Sequence, residues 1–107
     1  MGRAIIRIGE YYLEWSTIVD APVTYGMSLD DFKKHYRQQY GEQGMEELPA
    51  RLERVEANGA SWLSGKGAED TILCNRAGPQ ETVLTKEQIH RAYCLGETIE
   101  GWSPSAR

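Results

Sequence analysis

Near the start of the chain, apolar and polar positions alternate on both sides of a glycine. The segments "AIIRI" and "YYLEWSTIV" flank Gly9-Glu10, and glycine at the first loop position suits a type II′ hairpin turn. Folding the chain there sets Ile8 opposite Tyr11, Ile6 opposite Leu13 and Ala4 opposite Trp15 on one side. Arg7 opposite Tyr12, Ile5 opposite Glu14 and Arg3 opposite Ser16 fall on the other. Side chains on a strand alternate with a period of two, so a slip of one residue would mix the two sets. The pattern therefore predicts an N-terminal β-hairpin with one apolar face and one mostly polar face. Asp20-Ala21-Pro22 closes the second strand, because proline cannot donate to a ladder and biases the residue before it toward extended backbone.

Past the loop at Tyr25-Gly26 the apolar period changes from two to that of a helix. "SLDD" is an acidic capping box, with Ser28 as N-cap and Asp31 three positions on. The helix it opens runs to about Tyr40, with Leu29, Phe32, Tyr36 and Tyr40 along one face and Gly41 as its stop. In "MEELPARLERVEANG" the stripe Met45, Leu48, Leu52 and Val55 predicts a second helix, closed by Asn58-Gly59. Proline is tolerated in a first helical turn, so Pro49 sets the start of that helix near Glu47 or Leu48. The short link predicts a helical hairpin. After the glycine-rich "ASWLSGKGAED", "TILCN" reads as a short buried strand and "RAGPQE" as a turn. "LTKEQIHRAYCLG" is a third helix, with Thr85 and Gln88 as its capping box, Ile89, Ala92 and Tyr93 inward, and Gly96 as stop. The predicted order is ββ-αα-β-α: an α+β fold in which about three helices cover one face of a small, mostly antiparallel sheet. Residues 97–107 form a loosely held tail, on which Ile99 and Trp102 offer apolar anchors.

With 107 residues the chain is sized for a single domain spanning 1–107. Its net charge of −4 argues against non-specific nucleic-acid binding, which needs clustered lysine and arginine to neutralise phosphates. Two cysteines, Cys74 and Cys94, make no disulfide framework. The start, "MGRAIIRIGE", lacks the long apolar stretch of a signal peptide, and Ile6 stands where a myristoylation signal wants serine or threonine. No apolar run approaches the roughly 20 residues that span a bilayer. A cytoplasmic protein without a membrane partner is the expectation.

Motifs with a mechanism attached are scarce. "GASWLSGKG" departs from a phosphate-binding P-loop: five residues separate Gly59 from Gly65, and Gly67 follows Lys66 where serine or threonine belongs. His90 and Cys94 share a helix face, and with Cys74 and His35 they make a four-ligand zinc set on paper. Structural zinc sites usually draw sulfur from close cysteine pairs, which this chain lacks. Neither cysteine is marked as an activated nucleophile, and no carboxylate pair stands out as acid and base. Catalytic residues, metal ligands and cofactors are therefore all expected to be none.

The remaining signal is aromatic and polar surface. Tyr12 and Glu14 point away from the apolar face of the hairpin, beside Arg7, while Tyr25 and Trp62 lie in loops. Aromatic residues next to charges serve as anchors in protein interfaces. Asp20, Tyr25, Asn75 and Arg76 form a second set, at strand ends and loops where small-molecule sites and small active sites sit.

Taken together, "YYLEWSTIVDAPVTYGMS", "LPARLERVEANGAS" and "NRAGPQETVLTKEQI" resemble small proteins encoded by bacteriophages of actinobacteria, over nearly the whole chain. The resemblance implies a virus-encoded protein acting in the bacterial cytoplasm as a host-takeover or counter-defence factor. It carries no functional residues across. The leading expectation is a non-catalytic interaction protein binding a host or defence macromolecule. Its rivals are a small-molecule or nucleotide binder or small enzyme, and a homodimer paired through the sheet edge.

Overall fold

Gly9 takes φ +60 while Glu10 stays out of the left-handed region, as a type II′ turn requires. In the computed structural model, which describes residues 3–99 and 101–102, the turn joins β1 (Arg3–Ile8) to β2 (Tyr11–Ser16). Their antiparallel register is the predicted one, pair for pair from Arg3 with Ser16 to Ile8 with Tyr11. Beyond β2 the chain turns at 17–20 and returns as a two-residue strand, β3 (Ala21–Pro22), against Trp15 and Ser16. Ala21-Pro22 thus adds an edge strand instead of merely ending β2, and the sheet order is β1-β2-β3. Proline is admissible there because an edge strand has a side that needs no donor.

Helices lie on both faces of this sheet, not on one. The predicted apolar face, Ile6, Ile8, Leu13 and Trp15, packs with Ile72, Leu84, Ile89 and Tyr93 from the C-terminal half. The face expected to meet solvent carries Ile5 and Tyr12, which are buried with Phe32, Tyr36, Leu48 and Val55 of α1 (Leu29–Asn58). Two apolar side chains on the "polar" face suffice to recruit the aromatic stripe of an amphipathic helix. Tyr12 and Glu14 are consequently buried, which corrects their placement as surface anchors.

Ser28 caps α1, its hydroxyl accepting from the Asp31 N–H at 3.2 Å. At Gly41 the backbone leaves helical geometry (φ 67, ψ −161), the predicted stop. The helix resumes at once, however, so there is no loop and no delayed start near residue 47. Gly44 allows this: a Cβ there would lie 2.3 Å from Cβ of Tyr40. Pro49 therefore falls inside the second segment, at a cost of about 3 kcal/mol in an ordinary helix interior. Full burial of Leu48 and Val55, worth about 1.5–3 kcal/mol each, offsets it.

"TILCN" is not a strand. Residues Ala68–Leu73 form helix α2, with Glu69 and Asp70 in its first turn, where acids favour the positive end of the helix. The edge of β1 was not open to it. The outer edge of β1 is engaged by the 59–61 segment: Arg7 N–H donates to Gly59, Ser61 N–H to Ile5, and Ile5 N–H to the Ser61 hydroxyl. Pairing of two copies through that edge has no free ladder at Ile5 or Arg7. A short 3₁₀ turn (Pro79–Glu81) leads to α3 (Lys86–Ile89), which starts on the predicted Thr85/Gln88 capping box and passes into a π-helical turn, His90–Cys94. Ile99 and Trp102 bridge to each other and pack against the core. The rest of the expected tail, 103–107, lies outside the described residues.

Candidate functional site

Glu14 projects from the middle strand toward α1 and is only 3% exposed. A buried carboxylate must be supplied with donors, and α1 brings two. His35 Nε2 lies 2.8 Å from one carboxylate oxygen, and the Tyr40 hydroxyl donates to the other at 2.5 Å. Arg3 on β1 adds its guanidinium at 3.7 Å from that second oxygen. The backbone N–H of Glu14 donates to the Thr24 hydroxyl. In the neutral ring Nε2 carries the proton toward the carboxylate, leaving Nδ1 uncommitted.

Glu14 and His35 line an open cleft of about 780 Å³. Arg3, Ser16, Thr24 and Gln39 add polar groups to its wall, while Ile18, Val19, Tyr93 and Trp102 supply apolar surface. Ile18 and Val19 are held outward by the 17–20 turn. Asp20 closes that turn with φ +52, and its carbonyl accepts from the Arg76 N–H at 2.7 Å.

A second concavity of about 410 Å³ runs between α2 and the strand-like 83–85 stretch. Its floor is Ile72 and Leu84, its sides Leu73 and Val83, and the Glu69–Lys86 ion pair (2.9 Å) stands at its rim. Leu73 is 72% exposed and Val83 65%.

The residues singled out from sequence are dispersed. Arg7 pairs with Glu56 at 3.4 Å. The Trp62 indole N–H donates to the Thr71 hydroxyl, with the Lys66 ammonium 6.0 Å from the ring. Tyr25 stays half-exposed against Tyr93. Asp20 and Arg76 meet through backbone, but Asn75 is fully buried. Its side chain donates to the carbonyls of Ile72 and Leu84 and accepts from the N–H groups of Ala77 and Leu84. Asn75 is thus a strut between α2 and the chain before α3, so it lines no pocket with Asp20 and Arg76. Sequence reasoning misses Arg3, Gln39, Leu73 and Val83, and places His35 only in the discounted zinc set. For His35 the signal is indirect: an acid set between apolar residues on a strand implies that an opposing helix carries its donors.

No family model, curated protein or solved structure matches this chain. Among the described residues no three His, Cys, Asp or Glu side chains gather as a metal site: His90 stacks on Tyr11, and His35 is engaged by Glu14. No helix among them is long and apolar enough to cross a membrane.

Burial raises the pKa of Tyr36, Tyr40, Tyr93 and Cys94 above the ordinary values, the last three by the most. The Cys94 thiol is pushed up to about 11 by burial. Tyr93 is pushed up to about 12, by burial and then the Tyr25 phenol. Tyr40 also reaches about 12, by burial and then its hydrogen bond to Glu14. The ordinary values are 9.0 for the thiol and 10.0 for the phenols, so the folded state holds these protons longer than the unfolded one. Their stabilisation is full below about pH 9 and is lost as pH rises toward about 12. Urea midpoints are expected to be level from neutral pH to about 8.5 and to fall between about 9 and 11, less steeply in Cys94→Ala. A midpoint that stays level through that window contradicts the burial of all three groups.

Proposed function

We propose that this is a non-catalytic interaction protein that docks apolar side chains of a protein partner into the groove between Leu73 and Val83. The supporting observation is that groove: two large aliphatic residues stand out in solvent over a floor of Ile72 and Leu84, with a charged pair at the edge. An apolar centre inside a polar rim is the anatomy of protein interfaces, and anchors in such centres carry most of the affinity. A non-catalytic role accords with the state of His35, whose Nε2 is given to Glu14 and which has no hydroxyl or thiol hydrogen-bonded to its ring among the described residues. The resemblance to phage products makes the proposed partner a host or defence macromolecule met in the bacterial cytoplasm.

Capture of partners from bacterial cytoplasm tests this with three baits: wild type, Leu73→Glu/Val83→Glu, and Leu63→Glu. Leu63 is more exposed still but lies in the 62–66 loop and does not line the groove. A partner held by wild type and Leu63→Glu and lost by the double variant is the expected result. Equal recovery by all three removes the groove from the interface. Should light scattering show a wild-type dimer that the double variant dissolves, the occupant is a second copy and not a foreign partner.

A further inference from the structure

The cleft over Glu14 is separate from that groove, and donors outnumber acceptors in its unused hydrogen-bonding capacity. Both oxygens of Glu14 already accept, one from His35 and the other from Tyr40, and the Arg3 guanidinium stands 3.7 Å from the second as an ion-pair partner. The Thr24 hydroxyl accepts from the Glu14 N–H and the Ser16 hydroxyl from the Ile18 N–H, so each keeps its O–H to give. Arg3, whose side chain is 49% exposed, turns one nitrogen toward Glu14 and has further N–H groups of its five-donor fork to spare. What the cleft presents to a visitor is therefore mostly donors around one permanent cation, with its single carboxylate already neutralised by its neighbours.

The remaining wall is apolar and unfilled. Ile18 is 85% exposed at the rim, in a turn fastened by its own N–H to the Ser16 hydroxyl and by the Arg76 N–H to the Asp20 carbonyl. Tyr93 is presented from the π-helical turn, a departure from α-geometry that recurs at functional sites. A volume of about 780 Å³ lies within the range of small-molecule pockets.

We infer that this cleft binds a small molecule bearing an anionic oxygen group, carboxylate or phosphate, on a flat apolar body. The anion sits against Arg3 and the Thr24 hydroxyl. The body lies between Ile18–Val19 and the Tyr93 and Trp102 rings. Glu14 acts as a positioning residue, holding Arg3 and His35 in place, and does not itself contact the anion.

The test is a matched series, titrated by calorimetry and mapped by amide chemical shifts: naphthoate, naphthyl phosphate, naphthylmethylammonium and inorganic phosphate. At least one naphthyl anion is expected to bind saturably, shifting Val19, Val23, Thr24 and His35, and the tighter of the two identifies the anionic group. Inorganic phosphate, lacking the body, binds more weakly. Arg3→Gln is expected to weaken the naphthyl anion about tenfold or more, the scale of one hydrogen bond to a charged group. Gln39→Glu, an exposed change at the cleft wall, weakens it too without touching the Glu14 network. The inference is overturned if neither naphthyl anion saturates, or if the ammonium compound binds as tightly as the anions. It is equally overturned if inorganic phosphate matches them, if both variants bind like wild type, or if the shifts centre on Leu73 and Val83.

Discussion

Replacing Glu14 with arginine is expected to abolish the native fold. The carboxylate is buried and shared among His35, Tyr40 and Arg3. Arginine in its place would set a second guanidinium beside Arg3 and leave the Tyr40 hydroxyl without its acceptor. A guanidinium buried there without a carboxylate partner costs several kcal/mol, and repulsion from Arg3 adds to that loss. Domains of this size have about 5–15 kcal/mol in all. Glu14→Gln is the graded comparison: it keeps an acceptor for Tyr40 or His35 but not for both with equal strength, and is expected to cost about 1–3 kcal/mol while remaining folded. Circular dichroism and urea denaturation of the two variants are the measurements. A Glu14→Arg protein with a wild-type midpoint would show that the carboxylate is not enclosed by α1. A binding experiment built on that substitution would report unfolding, not the loss of an interface.

Asn75→Ala is the second large effect. One amide group satisfies two carbonyls and two N–H groups in an interior where water does not reach. Truncation leaves the Ala77 N–H, the Leu84 N–H and the Leu84 carbonyl without those partners, and each orphaned buried group costs about 1–3 kcal/mol. The Ile72 carbonyl keeps its bond from the Asn75 backbone N–H, so the expected loss is about 3–9 kcal/mol rather than four full penalties. Asn75→Asp separates the roles. It retains the acceptor for Ala77 and Leu84 but faces the two carbonyls with a charge, so it should be destabilised at neutral pH and partly recover as the solution is acidified. Urea midpoints with unchanged slopes would locate the effect in the native state. An alanine variant within about 0.5 kcal/mol of wild type, the range of surface substitutions, would refute the strut.

Asn75 and Glu14 also show where reading the chain loses its grip. Asn75 falls in a segment whose apolar run, "TIL", fits a buried strand or one side of a short helix equally well, since periodicity cannot separate the two at that length. The polar residue after it then reads as a loop group available to a ligand. Only the neighbouring backbone, nine positions on at Leu84, makes it an interior group. Glu14 reads as solvent-facing because it alternates with Leu13 and Trp15. Its donor His35 lies 21 positions away and Tyr40 26, on a helix whose docking side no local rule specifies. Leu73 and Val83 escape notice for a related reason: an apolar residue beside another, as Leu73 beside Ile72 and Val83 beside Leu84, reads as buried with it until the surrounding chain is placed.

Features governed by interactions a few residues long were determined by the chain alone. The turn at Gly9 and the full β1–β2 register, the cap at Ser28, the break at Gly41 and the capping box at Thr85 all depend on backbone sterics and near neighbours. Tertiary structure decided what those rules leave degenerate: that α1 covers the second face of the hairpin, that residues 59–61 take the edge of β1 and leave α2 to be helical, and which polar side chains end up enclosed. The physical reason is that burial is a property of two surfaces meeting. A sequence pattern describes only one of them.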